Sequence, residues 1–369
     1  MNIGFDAKRA FCNRSGLGNY SRNIISSLQT YYPNESYCLF TPRTNDELFH
    51  EGMANSITPT GFWQHFSSLW RYTQMGKCAK QYNINLFHGL SNELPKDIKK
   101  SGAKSVVTIH DVIFMRYPEW YKWHDREMYR QKTAFACQAA DAIIAISHQT
   151  KDDLVHYFQV SPEKIHVIYQ PCNFAFTDIQ YTDTQQEQIL QRVNLPEQYL
   201  LMVGNIEKRK NILNVIKTYQ HYPIELPLLI VGRKNEYAQT LKQYIEEHQI
   251  KNIHFLHDIS SFELPYIYKK ASILIYPSFF EGFGLPIIEA LSSRTPVITS
   301  NVSCFKETAG DGALYIDPDN MEAMSNAIQC IINDESLKNQ LVNAGYQHIQ
   351  QFNHRLITQQ IMELYQSLI

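Results

Sequence analysis

The feature that most constrains this chain is an alternation of short aliphatic runs with longer helical stretches, which is broken once and then restarts. The first series has strands at Asn2–Asp6, Asn85–His88, Ser105–Ile109, Asp141–Ile146 and Ile165–Ile168, with a helix from Gly18 to about Tyr31. The second has strands at Tyr199–Val203, Leu228–Val231, Ile253–Leu256, Ile273–Tyr276 and Pro296–Thr299. Between them, Asp178–Gln191 is polar and rich in Gln and Thr, and reads as a connection with a short helix. Strands separated by helices pair in parallel through right-handed crossovers. Runs such as Leu228-Leu-Ile-Val231 have no polar face, which suits a sheet covered on both sides. The expectation is an α/β chain of two doubly wound domains, and 369 residues suffice for two or three domains. In such sheets ligands bind outside the carboxyl ends of the strands, so chemistry is sought in those loops.

Composition removes several classes. Hydrophobic residues at 44% and charged residues at 19% give an ordinary globular balance and exclude a disordered chain. A net charge of −2 excludes a strong polyanion binder. Residues 1–180 are slightly basic, with 19 Lys and Arg against 16 Asp and Glu. Seven scattered cysteines without a C-x-x-C pair argue against both a disulfide framework and a structural zinc site. No apolar run reaches the ~18–20 residues of a membrane span. The opening Met-Asn-Ile-Gly-Phe-Asp has neither the basic nor the apolar part of an export signal, so a cytoplasmic location is expected.

The most informative loop follows the run ending at Tyr276. In Glu281-Gly-Phe-Gly-Leu-Pro-Ile-Ile-Glu289, Pro286 suits the first position of a helix. Gly282 and Gly284 allow close backbone approach to a ligand, and the helix N-terminus favours an anion such as a phosphate. Glu281 lies in the loop and Glu289 about one turn into the helix, so two carboxylates can meet one ligand at different depths. A Gly-rich turn with a capping Glu has the same spacing.

This segment resembles the E-x7-E signature of retaining glycosyltransferases with the GT-B fold, specifically glycosyltransferase family four, also called group 1. Four further segments resemble that family in the same order: Phe5-Asp-Ala…Ser15-Gly-Leu-Gly-Asn-Tyr20, Val107-Thr-Ile-His110-Asp111, Val203-Gly-Asn-Ile-Glu-Lys-Arg-Lys210-Asn211 and Ser300-Asn-Val-Ser…Glu307-Thr-Ala-Gly310. The resemblance implies two Rossmann-like domains facing a central cleft. Residues 1–175 would bind the acceptor and residues 176–352 the nucleotide-sugar donor, with a final helix at 353–369 crossing back to the first domain.

It also implies roles. Glu281 and His110 would be catalytic, with Glu281 contacting hydroxyls of the donor sugar. Gly16, Gly18, Arg209, Lys210, Gly282, Phe283, Gly284, Leu285 and Glu289 would bind the donor, Lys210 on the diphosphate and Glu289 on the ribose. Asp111 would either orient His110 or contact the acceptor. Lys208 stands where relatives usually have a proline before Arg209 and adds charge; Lys306 replaces the proline usual before Glu307, which is left out of the donor site on that account. Fixed cations stabilise the charge that grows on a departing nucleoside diphosphate, so neither a metal nor a cofactor is expected. Asp317-Pro-Asp319 has the form of a metal-binding D-x-D motif, but it lies in a late loop beyond the signature helix.

The reaction implied is transfer of a hexose with retention to a hydroxyl of a glycan or lipid-linked glycan, in bacterial surface polysaccharide synthesis. GDP-mannose is the expected donor, with UDP-glucose, UDP-galactose and UDP-N-acetylglucosamine open. A covalent intermediate on Glu281 and a same-face substitution are both open, the second being the expected route. The aromatic and basic runs Phe62–Tyr72 and Tyr117–Trp123 suit sugar stacking or peripheral contact with the inner face of a membrane. A core role would give the same composition.

Two other classes share parts of this pattern. A catalytically silent sugar-nucleotide binding module would keep the fold. An NAD-dependent sugar oxidoreductase would need a third glycine where Ser21 stands, and a glycine loop directly after the first strand.

Overall fold

The computed structural model describes residues 1–50, 52, 54–176 and 180–369. Among these the chain divides into two compact units, residues 1–171 with 352–369, and residues 172–351. Asp178, where the polar connection was expected to begin, lies outside the described residues. The helix of that connection is present as Asp183–Val193. A capping box starts it: the Thr182 hydroxyl takes the Gln185 amide, and the Gln185 side chain takes the Thr182 amide.

The first unit is built on β1 (Asn2–Asp6), β2 (Ser36–Phe40), β3 (Asn55–Ile57), β4 (Leu86–Gly89), β5 (Lys104–Ile109), β6 (Ala142–Ala145) and β7 (Ile165–Val167). They form one sheet in the order β3-β2-β1-β4-β5-β6-β7 with parallel pairings, for example Ile3 opposite Leu86 and Val106 opposite Ala142. The second unit repeats the plan with β8 (Leu200–Val203), β9 (Leu228–Val231), β10 (Ile253–Leu256), β11 (Ile273–Tyr276), β12 (Val297–Ser300) and β13 (Ala313–Ile316), ordered β10-β9-β8-β11-β12-β13. Strand order reverses between β1 and β4 and between β8 and β11. Crevices at the carboxyl ends of doubly wound sheets open at such reversals.

Three strands, β2, β3 and β13, fall outside the runs read from the sequence. β2 is the run Ser-Tyr-Cys-Leu-Phe, buried from its second residue on, so its apolar signal was present. β3 has three residues and takes its shape from pairing with β2, which no local pattern announces.

Strand residues bury both faces. Ile3 and Phe5 on β1 and Leu200 and Leu201 on β8 are fully inaccessible, each such side chain contributing roughly 1.5–3 kcal/mol. The last helix, His354–Leu368, belongs to the first unit and packs on the helix Gly16–Tyr31. Asn353 caps it by accepting from the Leu356 amide, and its face Ile357, Ile361, Met362 and Tyr365 is buried. The Tyr365 hydroxyl and His88 Nδ1 on β4 share a hydrogen bond of 2.5 Å, which fixes the rotation of this helix against the sheet.

Candidate functional site

In the second unit the site residues follow β8 and β11, the two strands at the reversal. After β8 the chain turns through the short 3-10 segment Lys208–Lys210 and enters the helix Ile212–His221. Asn211 sets that entry with a left-handed φ of 59°, and its side-chain amide donates to the Pro318 carbonyl at 2.6 Å. Pro318 belongs to the Asp-Pro-Asp loop, whose placement here braces the cationic turn. The Phe279 amide donates to the Arg209 carbonyl at 2.9 Å, which ties the loop after β11 to the turn after β8.

Glu281 is the centre of this arrangement. It is 8% exposed, and one carboxylate oxygen lies 2.5 Å from Arg209 Nη1. The other oxygen pairs with the Lys210 ammonium and accepts from the Tyr276 hydroxyl at 2.9 Å. Lys210 also donates to that hydroxyl, and its Nζ sits 4.4 Å from the centre of the Tyr276 ring. Burial pushes the Glu281 carboxyl up, but the Arg209 and Lys210 charges outweigh it and hold the group at about 2. Burial lowers the Lys210 ammonium against the opposing pull of Glu281. The carboxylate and both cations form a buried cluster that carries one excess positive charge, which Glu207 offsets from the solvent side at 2.8 Å from Arg209 Nε.

The helix Leu285–Ser292 carries the second carboxylate. It starts one residue earlier than expected, so Pro286 is its second residue; Gly284, with φ of 99°, lets Leu285 open the first turn. Glu289 accepts from the Tyr268 hydroxyl at 2.8 Å. Burial raises its carboxyl to about 7, with Tyr268 and Lys210 opposing. The two carboxylates therefore differ in ionisation, one fixed as an anion and one poised near neutrality.

The intervening loop is pinned from behind by the segment after β12. Ser303 Oγ donates to the Glu281 carbonyl at 2.9 Å, and Ser300 Oγ donates to the Ser278 carbonyl at 2.8 Å. Phe283 is 2% exposed, so its ring belongs to the core, and Cys304 and Thr308 donate to its carbonyl. Gly282 and Gly284 are buried in the same loop. Glu307 lies on the helix Phe305–Ala309, and its carbonyl meets His348 Nε2 at 2.8 Å.

In the first unit, β5 ends at Ile109 and His110 follows, 6% exposed. Asn92, after β4, accepts from the His110 amide at 2.8 Å and donates to the Asp111 carbonyl at 3.0 Å. His110 Nε2 lies 2.9 Å from the Leu90 carbonyl, which can only accept, so Nε2 carries the proton. Burial lowers this imidazole to about 4, which leaves a neutral ring with its lone pair on Nδ1. The Tyr20 ring meets it edge-on at 4.7 Å, and the Tyr20 hydroxyl lies 3.1 Å from Thr108 Oγ1. Asp111 accepts from the Ile113 amide at 3.3 Å and so shapes the next turn.

The helix Gly16–Tyr31 has no side-chain cap, and the Ser15 hydroxyl at its N-cap donates to the Asn13 side-chain oxygen at 2.5 Å. Gly16 is exposed at its tip. Gly18 is required by space: a Cβ there would lie 1.9 Å from the Asn13 carbonyl oxygen. The short helix Lys8–Cys12 separates β1 from this loop, whereas a dinucleotide fingerprint follows its strand directly.

Sequence reading missed Tyr276, Asn92 and Ser303. Each acts by orienting another side chain or loop, and no residue type or spacing announces that. The aromatic runs divide: Trp70 is buried, whereas Phe62 (68%), Phe66, Leu69 and Trp123 (71%) are exposed, and Tyr117 and Trp120 stack at 4.1 Å.

Residues 16–175 match the family described as Glycosyltransferase Family 4, and residues 184–348 match Glycosyl transferases group 1. O-antigen chain mannosyltransferase B of Escherichia coli is 30% identical over 296 residues, covering 78% of this chain and 76% of that protein. O-antigen chain mannosyltransferase RfbU of Salmonella typhimurium is 33% identical over 226 residues, 61% of this chain and 60% of that one. Among solved structures, sucrose-phosphate synthase from Thermosynechococcus elongatus superposes with a TM-score of 0.81 at 22% identity, over 100% of this chain and 99% of that one. Anabaena HepE in complex with UDP and glucose does so at 0.78 and 18%, over the full length of both chains. Both neighbours share the GT-B fold of two parallel-sheet domains. With both family models matched along the chain, and a 30% identical relative matched over 76% of its length, the chain belongs to the group 1, family four glycosyltransferases.

Proposed function

We propose that this glycosyltransferase moves mannose from GDP-mannose to a hydroxyl of a glycan or lipid-linked glycan, with retention at the anomeric carbon and without a metal. The observation that carries the reading is the buried cluster of Arg209, Lys210, Glu281 and Tyr276 at the β8–β11 reversal. As the glycosidic bond breaks, negative charge grows on the departing diphosphate. Two cations held in place by burial stabilise it with little reorganisation, which is the service a metal would otherwise give. Glu281 contacts the sugar hydroxyls in this reading, and Glu289 accepts from the ribose. Nδ1 of His110 accepts a hydrogen bond from the transferring sugar. The first unit takes the acceptor and the second the donor. Mannose is favoured because the two O-antigen enzymes above are named mannosyltransferases.

The test is nucleotide release from a panel of GDP- and UDP-sugars in EDTA, followed by the anomeric configuration of the product. GDP release from GDP-mannose, lost in Lys210→Ala, and an α-linked product are expected. Turnover of a UDP-sugar alone overturns the donor assignment. Activity restored only by a divalent cation overturns the metal-free mechanism, and a β-linked product overturns retention.

The acceptor's location follows from a second observation. Among the described residues no helix is long and apolar enough to cross a membrane, yet Phe62, Phe66 and Leu69 are exposed on one segment and Trp123 is exposed next in sequence to the exposed Lys122. We propose that these residues rest on the inner face of the membrane, where aromatic rings settle at the headgroup level and basic residues meet anionic lipid. Flotation with vesicles containing phosphatidylglycerol should carry the protein and fail for Phe62→Ser/Trp123→Ser. Equal flotation of both proteins overturns it.

A further inference from the structure

Inside the first unit a line of polar side chains runs through an apolar layer. Phe5 and Val106 of the sheet pack there with Ile24 and Ile361 of the helices Gly16–Tyr31 and His354–Leu368. Buried in the same region are Tyr365 on the last helix, His88 on β4, Thr108 on β5 and Tyr20 on the helix Gly16–Tyr31. The Tyr365 hydroxyl meets His88 Nδ1 at 2.5 Å, and His88 Nε2 meets Thr108 Oγ1 at 2.8 Å. Thr108 Oγ1 in turn lies 3.1 Å from the Tyr20 hydroxyl. Four elements that are far apart in sequence are thus joined through one hydrogen-bonded line.

Stability alone does not ask for such a line. Polar groups buried among apolar ones cost free energy unless they are bonded, and apolar groups of the same shape would fill the space as well. What a satisfied buried network adds is a single arrangement of its members. His88 is the joint. Burial lowers its imidazole to about 3, so the ring is neutral. A neutral imidazole donates from one nitrogen and accepts at the other, so in either tautomer it bonds Tyr365 on one side and Thr108 on the other.

The line ends against His110. The rings of Tyr20 and His110 meet edge to face, with centres 4.7 Å apart and planes at 89°. The backbone of His110 is fixed separately: Asn92 takes its amide, and its carbonyl accepts from the Thr150 hydroxyl at 3.2 Å. Nε2 is tied to the Leu90 carbonyl. One hydrogen bond at Nε2 leaves the plane of the imidazole to be set by what packs against it, and Tyr20 supplies that contact. We infer that Tyr365, His88, Thr108 and Tyr20 are positioning residues for His110: the line holds the Tyr20 ring in place, and that ring sets the direction in which His110 presents Nδ1. The inference rests on the reading of Nδ1 as the atom that meets the transferring sugar, and it gives the last helix a part in the reaction.

Thr108→Val breaks the line at its centre and keeps the volume of the side chain, whereas Thr108→Ser keeps the hydroxyl. In GDP release from GDP-mannose, kcat should fall about tenfold in Thr108→Val with KM within about twofold of the wild type. Thr108→Ser should recover kcat to within about threefold. Tyr365→Phe removes one hydroxyl at the far end of the line and keeps its ring, so the test stands even where Thr108→Val does not fold. A smaller fall in kcat, again at constant KM, is expected for it.

Nuclear magnetic resonance of the whole chain with carbon-13 histidine needs no turnover. The Cε1–H and Cδ2–H signals of His110, assigned by their loss in His110→Gln, should move in Thr108→Val and in Tyr365→Phe and return towards their wild-type places in Thr108→Ser. A network that only holds the fold together would lower the melting temperature and leave these signals where they are. His110 signals unmoved in both Thr108→Val and Tyr365→Phe overturn the inference, whether or not sugar is transferred. Signals that move while GDP release stays at the wild-type rate, or is absent from the wild type, uphold the positioning and overturn the proposed function instead.

Discussion

Arg209 Nη1 stands 2.5 Å from Glu281 Oε2, so the residue proposed to meet the diphosphate and the residue proposed to meet the sugar neutralise each other. Each shapes the other's chemistry. The carboxylate opposes the loss of the Lys210 proton that burial favours, and the cations keep the carboxylate ionised. A diphosphate that draws on Arg209 and Lys210 must compete with Glu281 for them.

Glu281→Gln should therefore do three things. Turnover is lost. The fold loses on the order of 3 kcal/mol, because buried Lys210 loses its counter-charge and Arg209 keeps only the more exposed Glu207. Nucleoside diphosphate binds about tenfold more tightly, since its competitor is gone. Urea denaturation and calorimetric titration with GDP measure the last two; weaker GDP binding would contradict the proposed role of the pair.

Glu289 gives a pH dependence of the opposite sign to that of an ordinary paired carboxylate. Its folded pKa of about 7 lies above the usual 4.5. Between those values the unfolded chain releases the proton while the folded one keeps it, so this residue's contribution to stability falls as pH rises from 4.5 to 7 and is flat above. Glu289→Gln should match the wild type in melting temperature near pH 4.5. At pH 8 it should be more stable, by on the order of 2 kcal/mol. Donor binding, which uses the ionised carboxylate, should strengthen in the wild type as pH rises through 7 and stay flat in the variant.

Tyr276→Phe removes one hydroxyl and keeps the ring under Lys210. Lys210 and Glu281 lose the oxygen that links them. A stability loss of about 1 kcal/mol is expected. A fall in kcat of about tenfold should accompany it, because misplacement of the charged pair is felt in the transition state. Equal kcat in variant and wild type would limit Tyr276 to a packing role.

Gly16→Ala and Gly18→Ala should differ sharply. A Cβ at Gly16 meets nothing within 4 Å, whereas one at Gly18 would overlap the Asn13 carbonyl. Gly18→Ala should cost about 2 kcal/mol or more as the loop shifts. Gly16→Ala should stay within about 0.5 kcal/mol of the wild type. Chemical denaturation of the two variants distinguishes them directly.

Much of this site is legible in the chain because it rests on local chemistry. Glycines at 282 and 284 before Pro286, and a basic turn at Lys208–Lys210 in the loop after a buried strand, are demands of backbone and charge that repeat wherever a loop of this kind is built. The alternation of strands with helices is legible for the same reason, since burial on both faces writes an apolar run.

Orientation is different. Residues 276, 210 and 281 are far apart or unremarkable in sequence, and only the pairing of β8 with β11 brings them within hydrogen-bond distance. Asn92 clamps His110 because β4 and β5 are neighbours. The ionisation of Glu281 and Glu289 likewise depends on burial and on which cations the fold packs beside each. The sequence by itself determined the fold class and the loops that carry chemistry, since both follow from short-range periodicity and residue type. The tertiary structure alone decided which side chains are paired and which are charged, because those depend on distances that chain order does not encode.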